Sequence, residues 1–270
     1  MKNVPLQSGD QIPVLGLGTW QLTGQECITA VSTAIEMGYR HIDTADAYKN
    51  HTDVARGIKV SGLDRKKLFI TSKVFLKDME FDRVLATGKR ILSDLEIEYL
   101  DLLLIHWPSK EVPFGETLEA MVELKEKGLI RNIGVSNFTI SHLKQAKADS
   151  SAQITNNQIE CHPYLYQKQL IDYCQEQDIV LTAYSPLARG AIFNDQEIVD
   201  LSQKHDLSPA QLVLKWLVDK GIVVIPKASS EEHIKDNYKI LGSKLPDEVK
   251  QVLDNKHENR RLVEPSFADF

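Results

Sequence analysis

The sequence predicts an α/β protein built as one (β/α)8 TIM barrel. Short apolar runs rich in β-branched residues alternate with amphipathic segments along the whole chain, which is the pattern of a parallel sheet covered by helices. Several runs are apolar throughout, as strands buried on both faces must be. Eight units of about 30 residues account for most of the 270 residues, so we expect a single domain over 1–270 with a short C-terminal tail. An open, doubly wound sheet is the alternative.

The predicted strands follow one another at regular intervals. Each is a short run rich in Val, Ile, Leu or Tyr, residues that suit a buried strand. In chain order the runs span 14–18, 39–43, 68–73, 99–106, 130–136, 154–160, 179–184 and 222–226.

The predicted helices are marked at their ends. The 208–211 segment, Ser-Pro-Ala-Gln, combines an N-cap serine, a first-turn proline and a glutamine at the capping-box position. Ser229 and Ser230 start the last helical unit in a similar way. Glycines that tolerate a left-handed cap close several amphipathic segments, at Gly38, Gly62, Gly128, Gly221 and Gly242.

Composition narrows the possible partners and the cellular location. With 42% hydrophobic and 26% charged residues, the chain can bury a sizeable core, which excludes an intrinsically disordered protein. The 32 basic and 38 acidic residues give a net charge of −6, so we expect neither nucleic acid nor membrane as a partner. Cys27, Cys161 and Cys174 form no Cys-x-x-Cys pair, and no apolar stretch suits a signal peptide or a bilayer span. We therefore expect a soluble, cytoplasmic protein.

Polar and aromatic residues stand where the predicted strands end. Active sites of TIM barrels lie at the C-terminal ends of the strands, so these residues are candidates for one common site. Taken singly, each has a structural explanation, such as a helix cap at Asp43 or a solvated lysine at Lys73. The residues are Thr19, Trp20, Asp43, Lys73, His106, Trp107, Ser136, Asn137, Gln158, Glu160, Tyr184, Ser185 and Lys227.

Asp43, Lys73 and His106, joined by Tyr48 shortly after Asp43, are the residue types of a proton donor. A free tyrosine has a pKa of about 10, too high for an efficient acid at neutral pH, and an adjacent ammonium lowers it. Asp43 would hold Lys73 charged and oriented. His106 would hydrogen bond to the same substrate oxygen or relay the proton. A proton donor of this kind predicts the reduction of a carbonyl group.

Carbonyl reduction requires a hydride source that side chains cannot supply, and a nicotinamide is the natural candidate. The 16–18 segment, Gly-Leu-Gly, is not a dinucleotide fingerprint, because Gln21 stands where a third glycine is required. We therefore expect the cofactor to bind in an extended pose across the barrel rim.

Several residues at the rim suit such a cofactor. Tyr184 can stack on a planar ring, and Asn137 and Gln158 can bind an amide. The 185–187 loop offers backbone donors to a pyrophosphate. Lys227, just before the last helical unit, combines an ammonium with helix N-terminal amides, which suits a 2′-phosphate and hence NADPH.

In its motifs the chain resembles the aldo-keto reductase family over nearly its whole length. The matching motifs occur in the family's order. They are 38–45 (Gly-Tyr-Arg-His-Ile-Asp-Thr-Ala) with Tyr48, Lys73 in Ile-Thr-Ser-Lys, 104–108 (Leu-Ile-His-Trp-Pro), 134–138 (Gly-Val-Ser-Asn-Phe), Asn157-Gln158, 184–187 (Tyr-Ser-Pro-Leu) and 224–227 (Val-Ile-Pro-Lys).

This resemblance implies specific roles for the residues. The catalytic residues are expected to be Asp43, Lys73 and His106, with Tyr48 as the general acid. NADPH is expected to contact Thr19, Asp43, Ser136, Asn137, Gln158, Tyr184, Ser185, Leu187, Lys227, Ser229, His233 and Asn237.

Within the family, the short loops and the 259–265 segment resemble the bacterial 2,5-diketo-D-gluconate reductase B type, which also reduces methylglyoxal. The resemblance implies a small aldehyde or ketone as substrate, and we expect a monomer. Phe267 and Phe270 of the tail are expected to fold over the mouth of the substrate pocket. The pocket itself is expected to be formed by Trp20, Tyr48, Phe75, His106 and Trp107.

The chain departs from the family pattern near the expected 2′-phosphate site. Ala228 stands where a serine is common, His233 where an arginine is usual, and Asp236 where a glutamate usually precedes Asn237. A neutral histidine offers neither the permanent charge nor the bidentate fork of arginine. We therefore expect NADPH to be preferred, with some use of NADH.

Two other functions remain open from the sequence. A metal-dependent barrel hydrolase is suggested by His41, Asp43, His106 and His162 near strand ends, although Gln158 stands where such a site needs a further ligand. A non-enzymatic module that senses nicotinamide nucleotides is the other alternative.

Overall fold

A computed structural model describes residues 2–268 and residue 270, and in this part of the chain eight parallel strands form one sheet in chain order. An antiparallel hairpin of β1 and β2 precedes them. The strands are β1 (Asn3–Pro5), β2 (Gln11–Pro13), β3 (Leu17–Gly18), β4 (His41–Asp43), β5 (Phe69–Val74), β6 (Leu100–Ile105), β7 (Ile130–Ser136), β8 (Ile154–Glu160), β9 (Val180–Tyr184) and β10 (Val223–Val224).

The sheet closes on itself. The backbone N–H of Gly16 donates to the carbonyl of Val224 at 2.9 Å, and Gly18 bridges in parallel to Lys227. An added Cβ at Gly18 would lie 2.6 Å from the carbonyl oxygen of Ile225, so glycine allows the first and last barrel strands to approach. The predicted barrel is confirmed, and the open doubly wound alternative is wrong.

Helices surround the barrel and follow its strands. The predicted capping box at Ser208 is present, with the serine hydroxyl accepting from the N–H of Gln211 at 3.1 Å. Gly62 ends α2 in the left-handed conformation, with φ of 65°, as its sequence position predicted. The helices are α1 (Gly24–Glu36), α2 (His51–Ser61), α3 (Phe81–Asp94), α4 (Phe114–Glu126), α5 (Ile140–Asp149), α6 (Lys168–Glu176), α7 (Gln196–His205), α8 (Pro209–Asp219), α9 (Glu231–Tyr238) and α10 (Asp247–Asp254).

The terminal barrel strands are shorter than predicted. The first predicted strand, 14–18, contains only Leu17–Gly18 as regular strand, and the last, 222–226, contains only Val223–Val224. Pro226 has no N–H to donate, although its carbonyl accepts from Gly18 at 3.2 Å. Single bridges rather than a long ladder therefore close the barrel.

The N-terminal hairpin seals the lower end of the barrel, where the strands begin, and the sequence did not predict it. Leu6 and Ile12 are buried and pack against Phe69, Leu102 and Val223 inside the barrel. The opposite, upper end is left for the polar residues that follow the strands. No helix in the described ranges, 2–268 and 270, is both long and apolar enough to cross a bilayer.

Candidate active site

A cavity of about 290 Å³ opens at the upper end of the barrel, and most of the predicted site residues line it. The predicted residues around it are Thr19, Trp20, Asp43, Tyr48, Phe75, His106, Trp107, Ser136, Asn137, Gln158, Tyr184, Ser185 and Lys227. Leu187 instead borders an adjoining groove together with Lys227. Among the described residues, Ser229, His233 and Asn237 line neither space.

The strand register directs Asp43 and Lys73 to the same interior face. Asp43 is paired with Thr71 in the sheet, and Thr71 and Lys73 are two residues apart on one strand, so all three side chains share a face. The Lys73 Nζ donates to Oδ1 of Asp43 at 2.5 Å and to the carbonyl of Thr44 at 2.9 Å. Gln158 donates to the other carboxylate oxygen of Asp43 at 2.7 Å. This ion pair is completely buried.

Tyr48 stands beside this pair in a short 3₁₀ turn, Asp46–Tyr48, that follows β4. The Nζ of Lys73 lies 5.1 Å from the centre of its ring, and the His106 ring lies 5.8 Å away at a steep angle. The turn is held by Asp46, whose buried carboxylate accepts from Arg90 of α3 at 2.7 Å. The structure thus brings the four predicted catalytic residues together.

The direction of the Tyr48 pKa differs from the sequence-based expectation. Burial is the main cause that raises the Tyr48 pKa, and the Asp43 carboxylate raises it further. The sequence had led us to expect that Lys73 would lower this pKa. The Lys73 ammonium is held directly against Asp43, and this carboxylate offsets its positive charge at the phenol. Tyr48 therefore stays protonated at neutral pH, which is the form that a general acid needs.

Burial also controls the charge of the neighbouring groups. It lowers the pKa of Lys73, while the Asp43 carboxylate and its hydrogen bond act in the opposite direction. The pKa of His106 lies well below its usual value, because burial and then the Lys73 charge disfavour the imidazolium. His106 is therefore neutral and suited to hydrogen bonding rather than to charge.

A continuous polar network in the cavity joins Ser136, Asn137, Gln158 and Tyr184, with the Asn137 amide donating to the Ser136 hydroxyl at 3.1 Å. The Tyr184 hydroxyl donates to Oδ1 of Asn137 at 2.7 Å, and the Asn137 amide donates to the carbonyl of His106 at 3.0 Å. Ser136 donates to the carbonyl of Gln158 at 2.9 Å. Asn137 adopts a left-handed backbone conformation, with φ of 65°, that fixes it after β7.

The expected anion site at Lys227 has a mixed electrostatic environment. The side chain of Lys227 is 42% exposed, and its Nζ lies 3.9 Å from a carboxylate oxygen of Glu26 in α1. Of the predicted pair of serines, Ser230 is the N-cap of α9, and its hydroxyl accepts from the N–H of His233 at 3.2 Å. Glu26 was not recognised in the sequence because it is distant along the chain.

Aromatic side chains line one part of the cavity, and the C-terminal tail packs against two of them. Phe267 lies 5.8 Å from Phe75 and 5.4 Å from Trp107, measured between ring centres. Phe270 lies 5.8 Å from Trp107 on the same side. Phe267 and Phe270, which were expected to fold over the pocket mouth, pack on these aromatic side chains but do not themselves line the cavity.

Sequence reasoning missed several other residues of this region. Arg189 and Val263 line the cavity, and the Arg189 guanidinium lies 5.0 Å from the centre of the Trp20 ring across the rim. Glu160 was recognised as a strand-end residue but was given no role. The contacts of these residues depend on the paths of loops and of the tail, which no local sequence pattern predicts.

The hydrolase alternative lacks a ligand cluster. His41 is hydrogen bonded to Thr71 at 3.1 Å, and His162 to Glu160 at 3.0 Å, so each histidine already has a protein partner. In the part of the chain that the structure describes, no three His, Cys, Asp or Glu side chains are grouped as metal ligands.

The chain is similar to known proteins over nearly its whole length. The chain matches the model of the aldo/keto reductase family over residues 14–258. It is 41% identical over 260 residues to glyoxal reductase of Bacillus subtilis (strain 168), covering 96% of this chain and 94% of that relative. It is 39% identical over 257 residues to methylglyoxal reductase DkgB of Escherichia coli O157:H7, covering 94% and 96%.

Among solved structures, a putative 2,5-diketo-D-gluconic acid reductase B has a TM-score of 0.95 and 32% identity, with 100% of this chain and 97% of that chain covered. The resemblance expected from the motifs is confirmed. The chain therefore belongs to the aldo/keto reductase family, whose members are oxidoreductases that reduce carbonyl groups.

Proposed function

We propose that this protein reduces small aldehydes and ketones to alcohols with NADPH, with Tyr48 as the general acid. The observation that carries the proposal is the buried Lys73–Asp43 ion pair beside Tyr48 and His106, at the base of an aromatic pocket. We further propose that residues 1–270 form this one catalytic domain.

The residues around the cavity fit a nicotinamide cofactor, which reductases of this family use. Their chemistry supplies an aromatic face on Tyr184, amides on Asn137 and Gln158, and a hydroxyl on Ser136, all lining one cavity. The adjoining groove, bordered by the 185–187 loop and Lys227, suits the phosphate groups. When bound, the nicotinamide supplies the hydride for the carbonyl carbon.

The protein supplies the proton. A carbonyl oxygen gains negative charge as its carbon accepts a hydride, and the Tyr48 O–H donates the proton that completes the alcohol. The neutral His106 orients the substrate oxygen by a hydrogen bond. Lys73, whose positive charge is favoured by Asp43, lies 5.1 Å from the ring centre and attracts the negative charge that develops on the phenol oxygen.

The cofactor preference rests on Lys227 and its surroundings. Its exposed ammonium favours a 2′-phosphate, but Glu26 at 3.9 Å and the acidic first turn of α9 reduce that advantage. His233, in place of an arginine, adds no permanent charge. A moderate preference for NADPH with measurable NADH use follows.

The substrate class rests on the pocket. Phe75 and Trp107 line the cavity of about 290 Å³, and Phe267 of the tail packs on both. Because the nicotinamide would occupy part of this cavity, the remaining space suits a compact carbonyl compound better than a large one. The relatives named glyoxal reductase and methylglyoxal reductase support the same class. A 2,5-diketo sugar acid is a second candidate, since a structural neighbour carries that name.

Steady-state oxidation of NADPH with methylglyoxal, 2,5-diketo-D-gluconate and an aromatic aldehyde tests the proposal. We expect turnover with at least the small dicarbonyl. Tight binding of NADPH without turnover of any carbonyl would contradict the proposal and favour the nucleotide-sensing alternative.

A further inference from the structure

The C-terminal tail is attached to the barrel through one buried carboxylate, that of Glu160 at the upper end of β8. Oε1 of Glu160 accepts from the N–H of Leu262 at 2.8 Å, and Oε2 accepts from the N–H of Val263 at 3.0 Å. His162 completes the set with a contact of 3.0 Å to Oε1. The Glu160 side chain is fully buried, so the tail backbone covers it.

Glu160 binds the tail as a carboxylate rather than as a neutral acid. Burial alone raises its pKa, but the hydrogen bonds from His162, Leu262 and Val263 outweigh burial and hold the pKa below its ordinary value. Hydrogen bonds to an ionised acceptor are stronger than neutral ones. A buried carboxylate without these donors would be costly, so the docked tail and the charge stabilise each other.

The attachment lies immediately before the part of the tail that faces the pocket. Val263 lines the cavity, Phe267 packs on Phe75 and Trp107, and Phe270 packs on Trp107. Upstream, the N–H groups of Glu258 and Arg260 donate to the carbonyl of Tyr164. Within the described residues, the bonds to Glu160 are the last backbone hydrogen bonds from the tail to the barrel before the aromatic segment.

We propose that Glu160 is a positioning residue for substrate specificity: its carboxylate docks the tail and thereby fixes the outer wall of the substrate pocket. Glu160 does not touch the reacting atoms. The proposal rests on the proposed function only in so far as the substrate occupies this pocket.

Limited trypsin digestion tests the docking without any use of activity. The peptide bond between Arg261 and Leu262 is a trypsin site whose N–H is bound by Glu160. In Glu160→Gln an amide N–H₂ faces the tail amides in place of one acceptor oxygen, so we expect release of the 262–270 peptide to be about tenfold faster. Mass spectrometry quantifies that peptide. Glu264→Gln, the same change at an exposed tail position, should digest like the wild type.

A second variant approaches the contact from the tail. Val263→Pro removes one donor N–H and leaves Glu160 and His162 intact, so it should also expose the 261–262 bond to trypsin. Equal digestion rates in wild type, Glu160→Gln and Val263→Pro would overturn the proposal. Because this assay needs no substrate, its result is independent of whether the proposed reaction is correct.

Steady-state kinetics test the consequence for specificity. With the tail released, we expect KM for methylglyoxal to rise about tenfold, with kcat nearly unchanged and a smaller rise in KM for a bulky aromatic aldehyde. Unchanged KM values for both substrates despite rapid tail cleavage would overturn the specificity role. A fall in kcat alone, equal for both substrates, would also overturn the specificity role, because it would indicate a disturbed catalytic centre rather than a displaced pocket wall.

Discussion

Lys73 and Asp43 form an ion pair inside the barrel, with 2.5 Å between Nζ and Oδ1 and essentially no exposed surface on either side chain. Such a pair is costly to bury unless its remaining hydrogen-bond groups are satisfied. Gln158 and the carbonyl of Thr44 provide two of those partners. The pair therefore forms a fixed charge arrangement beside the Tyr48 ring, whose centre lies 5.1 Å from Nζ.

Replacing Tyr48 with phenylalanine should abolish turnover. The change removes only the hydroxyl and keeps the ring beside Lys73, so we expect a loss of at least about 100-fold in kcat with little change in NADPH affinity. Stopped-flow absorbance at the nicotinamide band and fluorescence titration measure the two quantities. Tyr166→Phe is the matched control, since Tyr166 packs on Trp216 and lines neither the active-site cavity nor the adjoining groove. Undiminished turnover in Tyr48→Phe would refute the role of Tyr48.

Replacing Asp43 with asparagine should move the alkaline limb of the pH profile of kcat to lower pH. Burial lowers the pKa of Lys73 and the Asp43 charge raises it, so loss of that charge lowers the pKa further. The ammonium is then lost at a lower pH as the pH rises. The profile is measured with saturating NADPH and substrate. The variant Asp82→Asn, at an exposed position of α3, should keep the wild-type limb, and an unmoved limb in Asp43→Asn would count against the role of Lys73.

Lys227→Ala should weaken NADPH binding and leave NADH binding nearly unchanged, because only NADPH carries the 2′-phosphate. Glu26→Gln should act in the opposite direction and strengthen NADPH binding a few-fold, which is about the strength of an exposed charge pair. Fluorescence titration with each cofactor measures both effects. Lys250→Ala on α10 serves as the control lysine. Equal losses for NADPH and NADH in Lys227→Ala would remove the phosphate role.

Arg90→Met should destabilise the turn that carries Tyr48. Asp46 is buried and accepts from Arg90, so the variant leaves it with fewer partners at a cost of about 1–3 kcal/mol. Burial raises the Asp46 pKa, but the hydrogen bonds and charges of Arg90 and, to a smaller extent, Lys49 together outweigh burial and lower it. The stabilisation that the Arg90–Asp46 contact gives to the folded protein is therefore complete above the ordinary carboxyl pKa. It is lost as the pH falls through the lowered pKa of Asp46 in the folded protein. Urea unfolding should show a larger difference from wild type at pH 7 than near pH 3.

The barrel and the polar residues at the strand ends could be predicted because both depend on local sequence patterns. Buried parallel strands are apolar throughout, and Asp43, Lys73 and His106 each follow such a run. The hairpin at 3–13 gave no such signal, because it contains two prolines and is stabilised by Leu6 and Ile12 packing under distant strands. Tertiary packing, rather than local propensity, decides that element.

The electrostatics of the site could be predicted only in part. The placing of Asp43 and Lys73 at strand ends predicted that Lys73 lies near Tyr48. The direction in which the Tyr48 pKa is shifted depends instead on burial and on the Asp43 charge. The role of Glu160 depends on Leu262 and Val263, about a hundred residues away in the sequence. Only the folded path of the tail brings those amides to the carboxylate.

The hairpin beneath the barrel also determines how the site exchanges protons with water. Leu6 and Ile12 fill the lower end in the described part of the chain, so solvent reaches Tyr48 from the same opening that admits the substrate. In the proposed reaction, the phenol gives up one proton in each turnover and has to recover it through that opening. Product departure and reprotonation of Tyr48 therefore share one route, and a molecule lodged at the mouth would delay both.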